Sequence, residues 1–162
     1  MYRMAIALCV AVLAAGPAAA SDETDVMTVV HQWVEGINKG DMKSALAPCA
    51  DEVAIIDGFS PYEWHGPGAC GKWGSAYDAW VAKDGVTNAT MTPGKARHVD
   101  VEGAHAYVVL PVSYAFKEHG KPMKQTGTLL TMSLAKGSSG WRIAGWSWAD
   151  GITHAVSADS AH

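Results

Sequence analysis

The chain has 162 residues with 12 basic and 16 acidic side chains and a formal net charge of −4, proportions that fit one ordinary folded domain. The basic residues are scattered, and even Lys117 to Lys124 interleaves lysine with Glu118, His119 and a Gly-Lys-Pro turn, so no nucleic-acid partner is expected.

Residues 1–20 read as a signal peptide. Arg3 supplies the positive start, Met4 to Ala15 an apolar stretch, and Ala18-Ala19-Ala20 a small-residue cleavage site before Ser21. That stretch is short of the about 20 residues a membrane span needs, and no later segment approaches that length. The expectation is a mature chain of 142 residues, periplasmic or secreted, with no membrane attachment after cleavage and 11 basic against 16 acidic side chains. Cys9 leaves with the peptide, and Ile6-Ala7-Leu8 before it is a poor lipobox.

In the mature chain, Val26, Val29, Val30, Trp33, Val34 and Ile37 repeat on one helical face, with caps available in Ser21 to Thr24 and Gly40 to end the helix. Asp41 caps a second, shorter helix in which Met42, Ala45, Leu46 and Cys49 keep the same spacing. The run from Val53 to Ile56 predicts a buried strand that ends on Asp57, followed by a turn and then Trp64 and His65. Pro67 stands where a first helical turn accepts proline, and Cys70, Trp73, Tyr77, Trp80 and Val81 predict a third helix that stops near Gly85. Four strands follow, Arg97 to Val101, His105 to Phe116, Gln125 to Ala135 and Trp141 to Trp148, separated by short turns and so consecutive and antiparallel. Residues 152–162 read as a frayed polar tail. Helices first and a long antiparallel sheet afterwards is an α+β arrangement, in which the helices cover one face of the sheet and close a pocket against it.

Cys49 and Cys70 are an even pair in an oxidising compartment and form the leading disulfide candidate, worth about 3 kcal/mol in the chain-entropy model; two buried thiols are the alternative. The seven histidines make no HxH or HExxH pattern, so no metal site is expected. His98 and Asp100 share a strand face opposite Val99 and Val101, which points them to solvent or to a partner copy. Asn88-Ala89-Thr90 matches a glycosylation acceptor.

Asp57 is the best candidate for chemistry, because a carboxylate at the rim of a core is desolvated and its pKa rises toward the range of a working base. The other role open to it is that of a turn residue accepting backbone N–H groups beside Gly58. His65 is an acid or base candidate at the start of a helix. For Trp33, Trp80, Trp146 and Trp148 the roles are core packing and the wall of an aromatic pocket.

The order of a helix, a short helix after Gly40-Asp41, a strand ending in Asp57, a helix, then strands closing on Trp146-Ser147-Trp148 resembles the nuclear transport factor 2 superfamily, and within it the SnoaL-like exported proteins. The resemblance covers Asp22 to Gly151, and residues 21–151 are therefore taken as the domain. It implies a cone-shaped α+β barrel of a curved, mostly antiparallel sheet with an apolar pocket, often dimeric through the sheet. The pocket's partner would be a small hydrophobic molecule, with no cofactor. Comparison with ketosteroid isomerase implies Asp57 as general base and Trp148 as a pocket tryptophan. It places Trp33 and Thr131 near the positions of that family's two oxyanion donors, a tyrosine and a protonated aspartate. The expected activity is cofactor-independent isomerisation or dehydration, with a non-catalytic binding or dimerisation module as the alternative, and the ligand-pocket residues expected are Trp33, His65, Thr131 and Trp148.

Overall fold

A computed structural model describes residues 17–156, with side chains from residue 21 onward. Residues 1–16, most of the expected signal peptide, and residues 157–162 lie outside the described residues. Helix α1 (Pro17–Asn38) carries the apolar face read from the sequence, with Val26, Val30, Trp33 and Val34 buried. Helix α2 (Met42–Leu46) is capped as its first residues demand, Asp41 accepting from the Ser44 N–H at 3.0 Å. It ends earlier than the apolar spacing predicts, and Cys49 instead opens strand β1 (Cys49–Ile56). The cause is Pro48, which has no N–H to extend the helical ladder. The Ser44 carbonyl it would have reached accepts from Gln32 Nε2 of α1 at 3.1 Å.

Trp64 and His65 do not start a helix. They lie in strand β2 (Glu63–Pro67), which pairs antiparallel with β1. Pro67 ends that edge strand, where its missing N–H costs nothing. Helix α3 (Ala69–Lys83) starts two residues later, because Gly68 at its N-cap has φ 73°, a left-handed conformation that interrupts any helix begun at Pro67.

Strand β3 (Val86–Pro93) was not anticipated, since its Thr-Asn-Ala-Thr centre is mostly exposed and shows no apolar alternation. The remaining strands are β4 (His98–Glu102), β5 (His105–Glu118), β6 (Lys121–Gly137) and β7 (Gly140–Ala149), joined as antiparallel hairpins in the expected order. Ile152–Ala155, expected to fray, form β8 and pair with β6. The residues of β8 are all exposed and bury no apolar face, so no alternation marks it; backbone pairing with β6 holds it in the sheet, helped by Gln125 Nε2 donating to Thr153 Oγ1 at 3.2 Å.

The eight strands form one curved, open sheet in the order β2-β1-β7-β6-β5-β3, with β4 also on β5 and β8 on β6. Every pairing is antiparallel except β1 with β7. Helices α1 and α3 pack on the sheet, α1 against β3, β4 and β7 and α3 against β1, β2 and β3. Asn38 at the end of α1 clamps the helix to edge strand β3, its amide donating to Met91 O at 2.8 Å and accepting from Met91 N at 2.7 Å. Cys49 and Cys70 are joined as a disulfide that ties the start of β1 to α3.

Candidate functional site

Between the helices and the sheet lies a cavity of about 580 Å³. Asp57 stands in its wall at the end of β1, where the β1–β2 loop closes on itself: the Asp57 N–H donates to Tyr62 O at 3.0 Å and the Tyr62 N–H to Phe59 O at 2.8 Å. Both roles read for this aspartate are filled at once. Oδ1 accepts from the Gly58 N–H at 2.8 Å, the turn interaction, while Oδ2 accepts from the indole Nε1 of Trp73 on α3, also at 2.8 Å. A carboxylate has about four acceptor positions, so these two bonds do not exhaust it.

Burial is the largest influence on this group and pushes its pKa up to about 6. The bonds from Trp73 and Gly58 hold it down, Asp150 raises it by charge repulsion, and the Trp146 indole favours the anion. Asp150 follows β7 and reaches across Gly58, where any Cβ would collide with its Oδ2.

Three buried polar groups meet no partner at hydrogen-bonding geometry: Trp33 Nε1, Tyr114 Oη and Trp146 Nε1, on residues only 2%, 7% and 4% exposed. Trp33 and Trp146 share one aromatic cluster with Trp73, and Tyr114 belongs to another with Phe116 and Trp148. Trp33 lies 5.9 Å from Trp73 and 5.5 Å from Trp146, and Trp146 meets Trp73 edge-on at 5.1 Å. Tyr114 packs edge-on against Trp148 at 5.9 Å. Burial and the neighbouring Tyr77 hold the Tyr114 phenol protonated at any ordinary pH. A buried donor without a partner is costly, and two of the three, Trp33 and Tyr114, line the same cavity as Asp57.

Of the residues expected at the site, Asp57, Trp33 and Trp148 line the cavity. His65 and Thr131 do not. His65 is exposed on β2, because the buried position of that strand is its neighbour Trp64. Thr131 lies between Leu130 and Met132, both buried, and strand alternation turns it to the opposite face of the sheet. His98 and Asp100 are exposed, as their alternation implies. Two residues escaped sequence reasoning: Trp73, read only as a core position, and Asp150, in a Trp-Ala-Asp-Gly stretch that resembles any turn; Tyr114 reads in the sequence as a polar handle on an apolar strand, of a kind that usually finds a partner in the core.

A family model described as SnoaL-like domain matches residues 26–148. Among solved structures, the chain is similar to a hexachlorocyclohexane dehydrochlorinase from Novosphingobium barchaimii, with 8% identity and a TM-score of 0.72 over 86% of this chain and 92% of that one. It is similar to a nuclear transport factor 2-like superfamily protein from Salmonella enterica serovar Typhimurium, with 12% identity and a TM-score of 0.69 over 82% of this chain and 93% of that one. A ketosteroid isomerase-like protein from Erwinia carotovora atroseptica gives 14% identity and a TM-score of 0.62 over 84% of this chain and 97% of that one. At these identities the likeness is one of fold. A comparison with curated proteins finds no match.

Proposed function

The chain belongs to the SnoaL-like domain family, and because such a fold does not fix a reaction, we propose one from the site: the pocket binds a small hydrophobic molecule on which Asp57 acts as general base in a cofactor-independent proton transfer. The observation that carries this reading is a part-buried carboxylate in the cavity wall with its pKa raised to about 6 and unpartnered donors around it. A base of that pKa is ionised at neutral pH and still able to take a proton.

The chemistry balances on these residues alone. An Asp57 oxygen takes a proton from the carbon beside a carbonyl, and the C–H electron pair moves to make an enolate. The new charge on oxygen is met by the Trp33 N–H and the Tyr114 O–H, both on cavity-lining residues and without a partner at hydrogen-bonding geometry, so that little reorganisation is needed. Where a double bond is conjugated with the enolate, the proton returns at its far carbon, giving isomerisation; where a hydroxyl stands on the next carbon, the enolate pair forms a C=C bond as the C–O bond breaks and the proton leaves with the hydroxyl as water, giving dehydration. The names of the dehydrochlorinase and isomerase-like structures are in keeping with proton abstraction at carbon.

The Gly58 N–H bond to Oδ1 favours a second reading, a non-catalytic binding module in which Asp57 shapes the turn. Deuterium incorporation separates the two. Cyclic ketones are incubated in D2O with the protein or with Asp57→Asn, and exchange at the α-carbon is followed by NMR. The base reading expects the wild-type protein to exceed the variant by roughly a hundredfold or more, with a rate that falls as pH drops through about 6. Equal exchange by the two proteins, with ketone binding retained, leaves the binding module.

Export is part of the same proposal, supported by the leader read at residues 1–20 and by the Cys49–Cys70 disulfide. Cleavage before Ser21 removes only the first turn of α1 and leaves its buried face, from Val26 onward, intact.

A further inference from the structure

The charges around the cavity have a single sign. Asp57, Asp84, Glu118 and Asp150 line it, and among the described residues no lysine, arginine or histidine does. The charged side chain acting on Asp57 is itself a carboxylate, Asp150. The cavity is also walled by aromatic faces on two sides. On one, Phe59 stacks on Trp80 at 5.4 Å and packs edge-on against Tyr77 at 6.0 Å. On the other, Tyr114 stacks on Phe116 at 4.9 Å and meets Trp148 edge-on.

We propose that this pocket selects an organic cation, an amine or quaternary ammonium compound with an apolar body and an oxygen acceptor at its far end. The proposal rests on the reading of this cavity as the ligand site and adds the charge of the ligand. Aromatic faces carry negative potential and attract a cation held against them, and carboxylates of one sign, part-buried at Asp57 and Asp84 and exposed at Glu118 and Asp150, add to that attraction.

Asp150 is exposed but held in place by hydrogen bonds. Its Oδ1 accepts from Trp148 Nε1 at 3.1 Å and from Gln125 Nε2 at 3.2 Å, and Gln125 is itself oriented by accepting from Thr128 Oγ1 at 2.8 Å. Oδ2 accepts no hydrogen bond among the described residues and packs against Gly58, and both residues line the cavity. The unpartnered Trp33 N–H and Tyr114 O–H, both on cavity-lining residues, call for an acceptor on the ligand. An anion would satisfy those donors but would meet four carboxylates. A metal ion needs a shell of converging oxygens, and no group of three or more potential metal ligands occurs among the described residues. A soft cation with an apolar body meets the walls, the charges and the donors together.

The test is a binding series with benzyltrimethylammonium, benzylammonium, benzyl alcohol and benzoate, followed by tryptophan fluorescence and calorimetry on wild type, Asp150→Asn and Asp84→Asn/Glu118→Gln. At about 20 mM salt the cations should bind roughly tenfold tighter than benzyl alcohol, and benzoate weakest. The preference should shrink several-fold in Asp150→Asn, whose amide oxygen can still accept from Trp148 and Gln125, and at about 300 mM salt. Benzyl alcohol or benzoate binding as tightly as the cations overturns the proposal. So does a cation preference that neither set of carboxylate substitutions alters, or an absence of cation binding. Neutral ketones that exchange through Asp57 without any cation preference would sink this inference and leave the proposed function standing. Cation selectivity without Asp57-dependent exchange would do the reverse.

Discussion

At the scale of one residue, the decisive fact about Asp57 is that folding removes it from water and compensates it only in part. Its pKa is raised from an ordinary 3.8 to about 6, chiefly by burial. Between those values the folded protein binds more protons at this site than the unfolded chain, so stability falls as pH rises through that window. The stabilising contribution is complete below about 3.8 and gone above about 6, a difference of about 2 to 3 kcal/mol. Asp57→Asn removes the titration. Urea unfolding of both proteins should therefore show wild type gaining about 2 to 3 kcal/mol relative to the variant between pH 7 and pH 4. A pH-independent difference would mean that Asp57 is solvated. The sequence identified this residue because a carboxylate ending an apolar strand is a local pattern. It did not identify Trp73 or Asp150, whose importance comes from lying beside Asp57 after the chain has returned from 16 and 93 positions away.

At the scale of elements, two cross-connections hold the walls of the cavity in place. Asn38 satisfies both backbone groups of Met91 on edge strand β3, so Asn38→Ala leaves a part-buried N–H and C=O without partners. It should cost about 2 kcal/mol in urea unfolding, and amide exchange in β3 should speed up more than in β6. The Cys49–Cys70 disulfide spans 21 residues and ties β1, which leads directly into Asp57, to α3, which carries Trp73. Replacing both cysteines by alanine should lower stability by about 3 kcal/mol, a loss that reduction of wild type should reproduce. Helices α1 and α2 and the hairpins β4 to β7 were readable because period and caps are local. Strands β2, β3 and β8 were not, because edge strands are held largely by backbone hydrogen bonds to the strands beside them and need little apolar pattern of their own.

At the scale of the whole molecule, α1 and α3 cover the open sheet and bring Trp33, Asp57 and Trp148 into one cavity from three separate elements. The leader read at residues 1–20 predicts a mature protein that begins at Ser21. Mass spectrometry of protein recovered from the periplasm or medium should give that N-terminus and a mass lower by two hydrogens for the intact disulfide. Protein retained in the cytoplasm with Met1 in place would overturn export.

The sequence by itself determined the α+β class, the family, the hairpin order of the later strands, the cysteine pair and the choice of Asp57, since each is written in spacing and local chemistry. Only the tertiary structure decided who surrounds that aspartate. It turned His65 and Thr131 away, supplied Trp73, Tyr114 and Asp150, and left three buried donors unpaired. The physical reason is that the face a strand residue presents, and the water it loses, depend on the register and curvature of strands that meet from far apart in the chain.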